Sequence, residues 1–298
     1  MTEIVSNSLF HSNATLSIAI AQCGIVWEDP EVNFSKIEKL AKEAKEKGAE
    51  VVIFPESMLT GFSMNIPDIA VSPTSVYIQS LETLAKKLGL ALVLSIFVRE
   101  PYFADDKNEV QVQRKVFKNE CFYNRVFFIT PEGDTFYQDK RHLFRPAGET
   151  HYVSSAASRK LFVYRGFKIL LVACYDLRFP VWCRNRANEY DLLIDVANWP
   201  QARNDVWRTL LRARAMENLV YVCGVNRVGQ DSEGLVYLGD SAIVDPKGRT
   251  LAEIAKNEEG IALATIEKAP LESLRKKFPV WIDADDFTLD PAKSYPIY

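Results

Sequence analysis

Three polar residues sit where an apolar run ends, and each is of a type that can do covalent chemistry. Glu56 follows Glu50–Phe54, Lys140 follows Thr135–Gln138, and Cys174 closes Phe167–Cys174. A thiol becomes a nucleophile once its proton is removed, and a carboxylate can remove it. An ammonium can then meet the oxyanion that attack on a carbonyl creates. Taken singly, each has an ordinary explanation. Glu56 could cap a helix, Lys140 could be solvated, and most free cysteines are small buried hydrophobes. Cys23, Cys121 and Cys223 lie within or beside apolar runs and read that way. Cys174 differs, because Cys174-Tyr-Asp-Leu-Arg-Phe-Pro180 turns polar at once and opens an expected helix. That layout resembles a nucleophile elbow, where a helix N-terminus would lower the thiol pKa.

Histidine is the usual base for a thiol. The chain has His11, His142 and His151, and His142 lies two residues from Lys140. A papain-like Cys174–His142 pair is therefore a competing reading, although no local signature of a cysteine peptidase surrounds Cys174. Five cysteines without a CxxC argue against a disulfide framework and a structural zinc site, so no metal is expected. Lys plus Arg number 36 against 39 Asp plus Glu, a net charge of -3, which excludes the basic footprint of a nucleic-acid binder. Apolar runs such as Leu88–Val98 fall short of a membrane span. Met1–Asn13 has neither a charged start nor an apolar core, so it is not read as a signal peptide, and a reducing cytoplasm is expected.

The elements that must position these residues alternate in type. Leu16–Cys23 and Glu50–Phe54 read as buried strands. Between them Pro30 opens a helix with a stripe of Val32, Ile37, Leu40, Ala41 and Ala44, closed by Gly48. A helix over Ser75–Leu88 precedes a strand over Leu90–Val98. Tyr102–Lys118 is polar and reads as a loop or exposed hairpin; Cys121–Thr130 and Thr135–Gln138 flank a turn at Pro131–Asp134. Phe167–Cys174 (strand), Phe179–Asn188 (helix), Leu192–Val196 (strand), Asn204–Glu217 (helix) and Val220–Val225 (strand) follow. Ser241–Val244 and Ile261–Ile266 are expected to pair across a turn at Asp245–Gly248. No Pro/Ser/Gly linker interrupts the series. No GxGxxG follows a strand and no GxxxxGK[ST] occurs, which excludes the common nucleotide cradles. The reading is one α/β domain with mixed sheets and helices outside.

Glu56, Lys140 and Cys174, in that order at strand ends, resemble the Glu-Lys-Cys triad of the nitrilase (carbon–nitrogen hydrolase) superfamily. The flanks that carry the likeness are Phe54-Pro-Glu-Ser-Met-Leu-Thr-Gly-Phe62, Asp139-Lys-Arg-His-Leu-Phe144 and Cys174–Pro180. Within it the chain is most similar to bacterial omega-amidases, or 2-oxoglutaramate amidases. That narrower likeness rests on Pro180-Val-Trp-Cys-Arg-Asn185, Val196-Ala-Asn-Trp-Pro200, Arg212–Asn218, Asn226-Arg-Val-Gly229, Gly239–Ser241 and Lys277–Trp281 with Asp283–Phe287. It spans about Ser17 to Phe287. It implies a four-layer αββα sandwich over residues 16–287, after a polar leader at 1–15 that need not be ordered and before a tail at 288–298. It also implies a homodimer, no cofactor, and a second glutamate after the lysine, a place held by Glu149.

The resemblance implies hydrolysis of the side-chain amide of 2-oxoglutaramate or 2-oxosuccinamate through a cysteine thioester. Glu56 would move the protons, and Lys140 with the Tyr175 N–H would hold the oxyanion. Such a small 2-oxo acid amide carries a carboxylate, which invites an arginine. Arg178 is the first choice, with pairing to Asp176 as its structural alternative; Arg145 and Arg203 come next. Trp199 either walls the pocket or packs the core. A related amidase for deaminated glutathione or an N-carbamoyl compound remains open, as does a non-catalytic binding module.

Overall fold

The computed structural model describes residues 3–5, 13–102 and 115–285. Thr15–Gln22 is buried without a break from Ile18 onward, as a strand with a layer on each face should be. It pairs in parallel with Val51–Ile53, which pairs in parallel with Ala91–Pro101. Glu120–Ile129 continues antiparallel and takes both Val116–Phe117 and Thr135–Asp139 as hairpin partners. Gly260–Glu267 closes the far edge, antiparallel to Thr15–Gln22. The second sheet runs in spatial order Glu3–Val5, Lys160–Tyr164, Phe167–Ala173, Leu192–Ala197, Tyr221–Asn226, Ala242–Val244 and Thr250–Glu253. Its three central strands are parallel, so the chain ends of Phe167–Ala173 and Leu192–Ala197 emerge side by side.

The two sheets pack face to face through Ile18, Ile53 and Phe128 on one side and Ile169, Ile194 and Val225 on the other. The outer face of the first sheet is covered by helices Pro30–Glu46 and Val76–Leu88 through Ile37, Ala41, Leu81 and Ala85. Helix Asn204–Asn218 covers the outer face of the second through Trp207, Leu211 and Ala215. The layers are helix, sheet, sheet, helix, the αββα sandwich expected. No helix among the described residues is long and apolar enough to cross a membrane.

Local chemistry explains most boundaries. Asp29 accepts the Val32 N–H and Pro30 opens the first helix, while Gly48 adopts φ +87° just past its end. Val32 nevertheless faces outward, and Asn33 takes its place in the buried stripe. Lys118 and Asn119 both have positive φ, the turn that joins Val116–Phe117 to Glu120–Ile129 as a hairpin. The rest of the expected loop, residues 103–114, lies outside the described residues, as do 286–298.

Several expectations are corrected. Phe179–Asn188 is not one helix: Pro180–Cys183 makes a single turn and Arg186–Asn188 a 3-10 turn. Asn185 explains the break, because its side chain exchanges hydrogen bonds with the Tyr190 backbone and binds the Asn218 carbonyl. The turn at Asp245–Gly248 joins Ala242–Val244 to Thr250–Glu253, and Gly260–Glu267 crosses to the other sheet. Lys160–Tyr164, the ribbon of Val228–Gln230 with Val236–Leu238, and helix Lys268–Lys277 are elements that periodicity did not reveal.

Candidate active site

Glu56 leaves the first sheet just beyond Val51–Ile53 and is fully buried. A buried carboxylate must be met by donors; three reach it, and a fourth holds the residue's backbone carbonyl. Lys140 Nζ and Asn124 Nδ2 donate to Oε1 at 2.9 and 2.8 Å. The Asn198 N–H donates to Oε2 at 2.9 Å, and Asn198 Nδ2 to the Glu56 carbonyl at 2.6 Å.

Lys140 follows Thr135–Asp139, and its N–H donates to the Asn124 carbonyl at 2.8 Å, which fixes the exit of the strand. Its ammonium, also buried, lies 3.1 Å from Glu149 Oε2 and 4.9 Å from the centre of the Phe62 ring. Burial alone would depress the lysine pKa, but Glu149, Glu56 and Cys174 outweigh it and hold it above the ordinary lysine range. Two carboxylates within 3.1 Å favour its charged form. Glu149, on a 3-10 turn, accepts the Phe144 N–H at 2.6 Å and Asn124 Nδ2 at 3.2 Å. Burial, reinforced by Glu56, raises its pKa against the pull of Lys140 and these donors. Asn124 thus bridges two glutamates that share one lysine.

Cys174 is the first residue past Phe167–Ala173 and has φ +47°, the left-handed conformation a non-glycine residue takes only when held. Its N–H donates to Asp195 Oδ1 at 2.6 Å. The thiol lies 3.7 Å from the Asn198 carbonyl. The turn that follows is a five-residue 3-10 segment, too short to supply the expected helix field. Burial first, then Glu56, push the thiol well above its ordinary pKa although Lys140 opposes them. The shift is thus opposite in direction to the expected lowering, and attack by the thiol calls for a base.

One pocket is lined by Glu56, Lys140, Cys174, Tyr175, Arg178, Asn198, Trp199, Arg203 and Tyr237, with Phe62 and Phe144 among its apolar walls. The Arg178 guanidinium lies 5.0 Å from the centre of the Trp199 ring, and that of Arg203 5.2 Å from the centre of Phe144. Asp176 is not the partner of Arg178. It accepts the N–H groups of Ala173, Arg141 and His142 and faces His142 Nδ1 at 2.8 Å. Trp199 does both things foreseen for it: it lines the pocket and packs 5.5 Å from Trp207, its Nε1 donating to the Arg203 carbonyl. Arg145 is exposed.

The papain-like reading fails. His142 is turned to Asp176 and stacks on Phe179 with ring centres 3.6 Å apart. His151 is exposed and His11 lies outside the described residues. The other four cysteines are buried, and burial raises Cys23 to about 12 and Cys223 higher still. Among the described residues no group of His, Cys, Asp and Glu could hold a metal. Sequence reasoning missed Asn124, Asn198 and Asp195. The available signal was a polar residue inside an otherwise apolar strand, or directly after one.

The sequence model of the carbon-nitrogen hydrolase family matches residues 17–276. The chain is 36% identical over 276 residues to omega-amidase YafV of Yersinia enterocolitica, covering 93% of this chain and 99% of the relative. It is 32% identical over 271 residues to 2-oxoglutaramate amidase of Bacillus subtilis, covering 90% and 96%. A solved structure of a carbon-nitrogen hydrolase superfamily protein from Xanthomonas campestris, described as carrying an arsenic adduct in its active site, superposes with a TM-score of 0.82. That chain is 36% identical, and the match covers 93% of this chain and 99% of it.

Proposed function

The chain belongs to the carbon-nitrogen hydrolase family, and from that premise we propose that it is an omega-amidase acting through Cys174. Its substrates are 2-oxoglutaramate and 2-oxosuccinamate, and its products are the 2-oxo dicarboxylate and ammonia. The observation that carries this reading is the buried Lys140 ammonium held between Glu56 and Glu149 at the floor of a pocket that Cys174 also lines.

An amide is a weak electrophile with a poor leaving group, so the reaction is divided through a covalent intermediate. Cys174 Sγ attacks the amide carbon while Glu56 removes the thiol proton, as the raised thiol pKa requires. The Lys140 ammonium and the Tyr175 N–H meet the oxyanion. The Cys174 N–H is already given to Asp195, which leaves the next amide for this task. One such donor is worth about 3–4 kcal/mol of transition-state stabilisation. Glu56 returns the proton to the departing nitrogen, and the carbon–nitrogen bond breaks to give ammonia and the thioester. Glu56 then takes a proton from water as its oxygen attacks the thioester; the carboxylate product leaves and the thiol is restored. Glu149 keeps Lys140 in place and charged.

The far carboxylate of the substrate falls to Arg178, with Arg203 beside it; both guanidinium groups line the pocket over aromatic faces. Trp199, under Arg178, forms one wall of the pocket. Residues 16–287 form one catalytic domain, a reading supported by the core the two sheets share. A homodimer in a reducing cytoplasm fits the family likeness and five free cysteines.

Ammonia release from 2-oxoglutaramate, compared with glutamine, asparagine, deaminated glutathione and an N-carbamoyl amino acid, tests the reading. Preference for 2-oxoglutaramate supports it. Preference for deaminated glutathione or the carbamoyl compound replaces the substrate but keeps the chemistry, and no release from any amide returns the chain to a binding module.

A further inference from the structure

Asp195 takes no part in the steps above, yet it lies against the nucleophile. It sits within Leu192–Ala197, whose six residues are all buried, opposite Val172 in parallel register. Its Oδ1 accepts the Cys174 N–H at 2.6 Å, while Oδ2 is buried and has no partner among the described residues. The neighbouring Ala173 N–H goes to a different carboxyl, Asp176 Oδ2, at 3.2 Å. Two buried carboxyls thus hold two consecutive amides of the turn that carries Cys174 at φ +47°.

A buried carboxylate with one oxygen unmet and no cation upon it is a costly arrangement. The charged groups that act on Asp195 are Asp176, Glu56 and Lys140. The first two are acids, and Lys140 is already shared by Glu56 and Glu149. His142 is committed to Asp176. Burial first, then Asp176, push Asp195 well above the ordinary carboxyl range. The turn needs an acceptor for the Cys174 N–H, while an anion there would oppose formation of the thiolate. A neutral acid meets both demands.

We propose that Asp195 is a positioning residue that works as an uncharged carboxylic acid, its carbonyl oxygen pinning Cys174 in the left-handed turn. The proton resides on Oδ2. This rests on Cys174 being the nucleophile but on no particular substrate.

Asp195→Asn keeps the acceptor and the neutrality, and Asp195→Leu removes the acceptor at similar size. Wild type and both variants are compared by kcat and KM for ammonia release, and by the rate at which iodoacetamide alkylates Cys174 against pH, read by mass spectrometry of the Cys174 peptide. Asp195→Asn is expected to keep kcat within about threefold, with an alkylation curve that overlays the wild type. Asp195→Leu is expected to lose about tenfold or more in kcat and far less in KM. An Asp195→Asn curve displaced to lower pH by about one unit or more would mean that an anion had been removed, and overturns the proposal. So does an Asp195→Leu enzyme with wild-type kcat. If Asp195→Leu does not fold, the Asp195→Asn curve decides alone. Alkylation displaces iodide and needs no amide hydrolysis, so failure of the substrate reading leaves this test standing, and turnover by Cys174→Ala would instead refute the nucleophile itself.

Discussion

Asn198 grips Glu56 twice, its backbone N–H on Oε2 at 2.9 Å and its side-chain nitrogen on the Glu56 carbonyl at 2.6 Å. The two residues come from the ends of strands in different sheets, 142 positions apart. The base and the nucleophile are thereby referred to one another, since the Cys174 thiol lies against the carbonyl of the same asparagine. A carboxylate that must both take and return a proton has to keep one position through both steps.

Cys174→Ala should abolish turnover and leave the circular dichroism spectrum unchanged, because removal of one sulfur from a strand end leaves only a small void. Cys223→Ala, deep between the sheets, should remain active at some cost in melting temperature. An active Cys174→Ala enzyme would end the thioester mechanism.

Lys140→Arg should be nearly inactive despite the conserved charge. The ammonium touches Glu56 and Glu149 within a fully buried cluster, where a planar guanidinium does not fit and cannot aim one donor at the oxyanion. Loss of one oxyanion donor costs about 10²–10³ in kcat. Steady-state kinetics showing more than half the wild-type kcat would remove Lys140 from the site.

Arg178→Met should reduce kcat/KM on 2-oxoglutaramate by one or two charge-assisted hydrogen bonds, about 1.5–3 kcal/mol each. An uncharged amide of similar length should lose much less. Arg203→Met measures whether the second guanidinium shares the carboxylate. Equal losses on charged and uncharged substrates would show that the arginines shape the pocket rather than bind the acid.

The raised carboxyl of Asp195 makes a statement about stability against pH. In the unfolded chain it ionises near the ordinary aspartate value of about 3.9, but in the native protein it keeps its proton to higher pH. Between those two values the native state binds the extra proton, so the contribution of this group to stability is full under acid and declines as pH rises through the native value. Asp195→Asn cannot titrate. Its melting temperature relative to wild type should therefore rise from pH 4 towards neutrality; a difference that stayed flat or fell would contradict the raised carboxyl.

The sequence made Glu56, Lys140 and Cys174 visible because a polar group just past an apolar strand is exposed to question by its position alone. Glu149 came only with the family likeness, since nothing in Pro146-Ala-Gly-Glu149 says that the loop folds back onto Lys140. Asn124 was hidden inside Glu120–Ile129, where its partners lie 68 and 25 positions away. Strand identity survived where burial was continuous, as in Thr15–Gln22. It failed for Thr250–Glu253, whose residues alternate between half-buried and exposed. There the short turn chose the nearer segment over the more apolar Gly260–Glu267.

The double grip of Asn198 on Glu56 also makes turnover a gauge of the seam between the sheets. Catalysis demands registry across that seam to within a fraction of an ångström, whereas backbone hydrogen bonding within each sheet tolerates far more slack. A denaturant that lets the two halves breathe should extinguish ammonia release at concentrations where far-ultraviolet ellipticity still reads as native. Cavity-forming changes at the shared core, such as Ile194→Ala opposite the first sheet, should widen that gap. In this molecule the chemistry should be lost along the joint before the material on either side of it gives way.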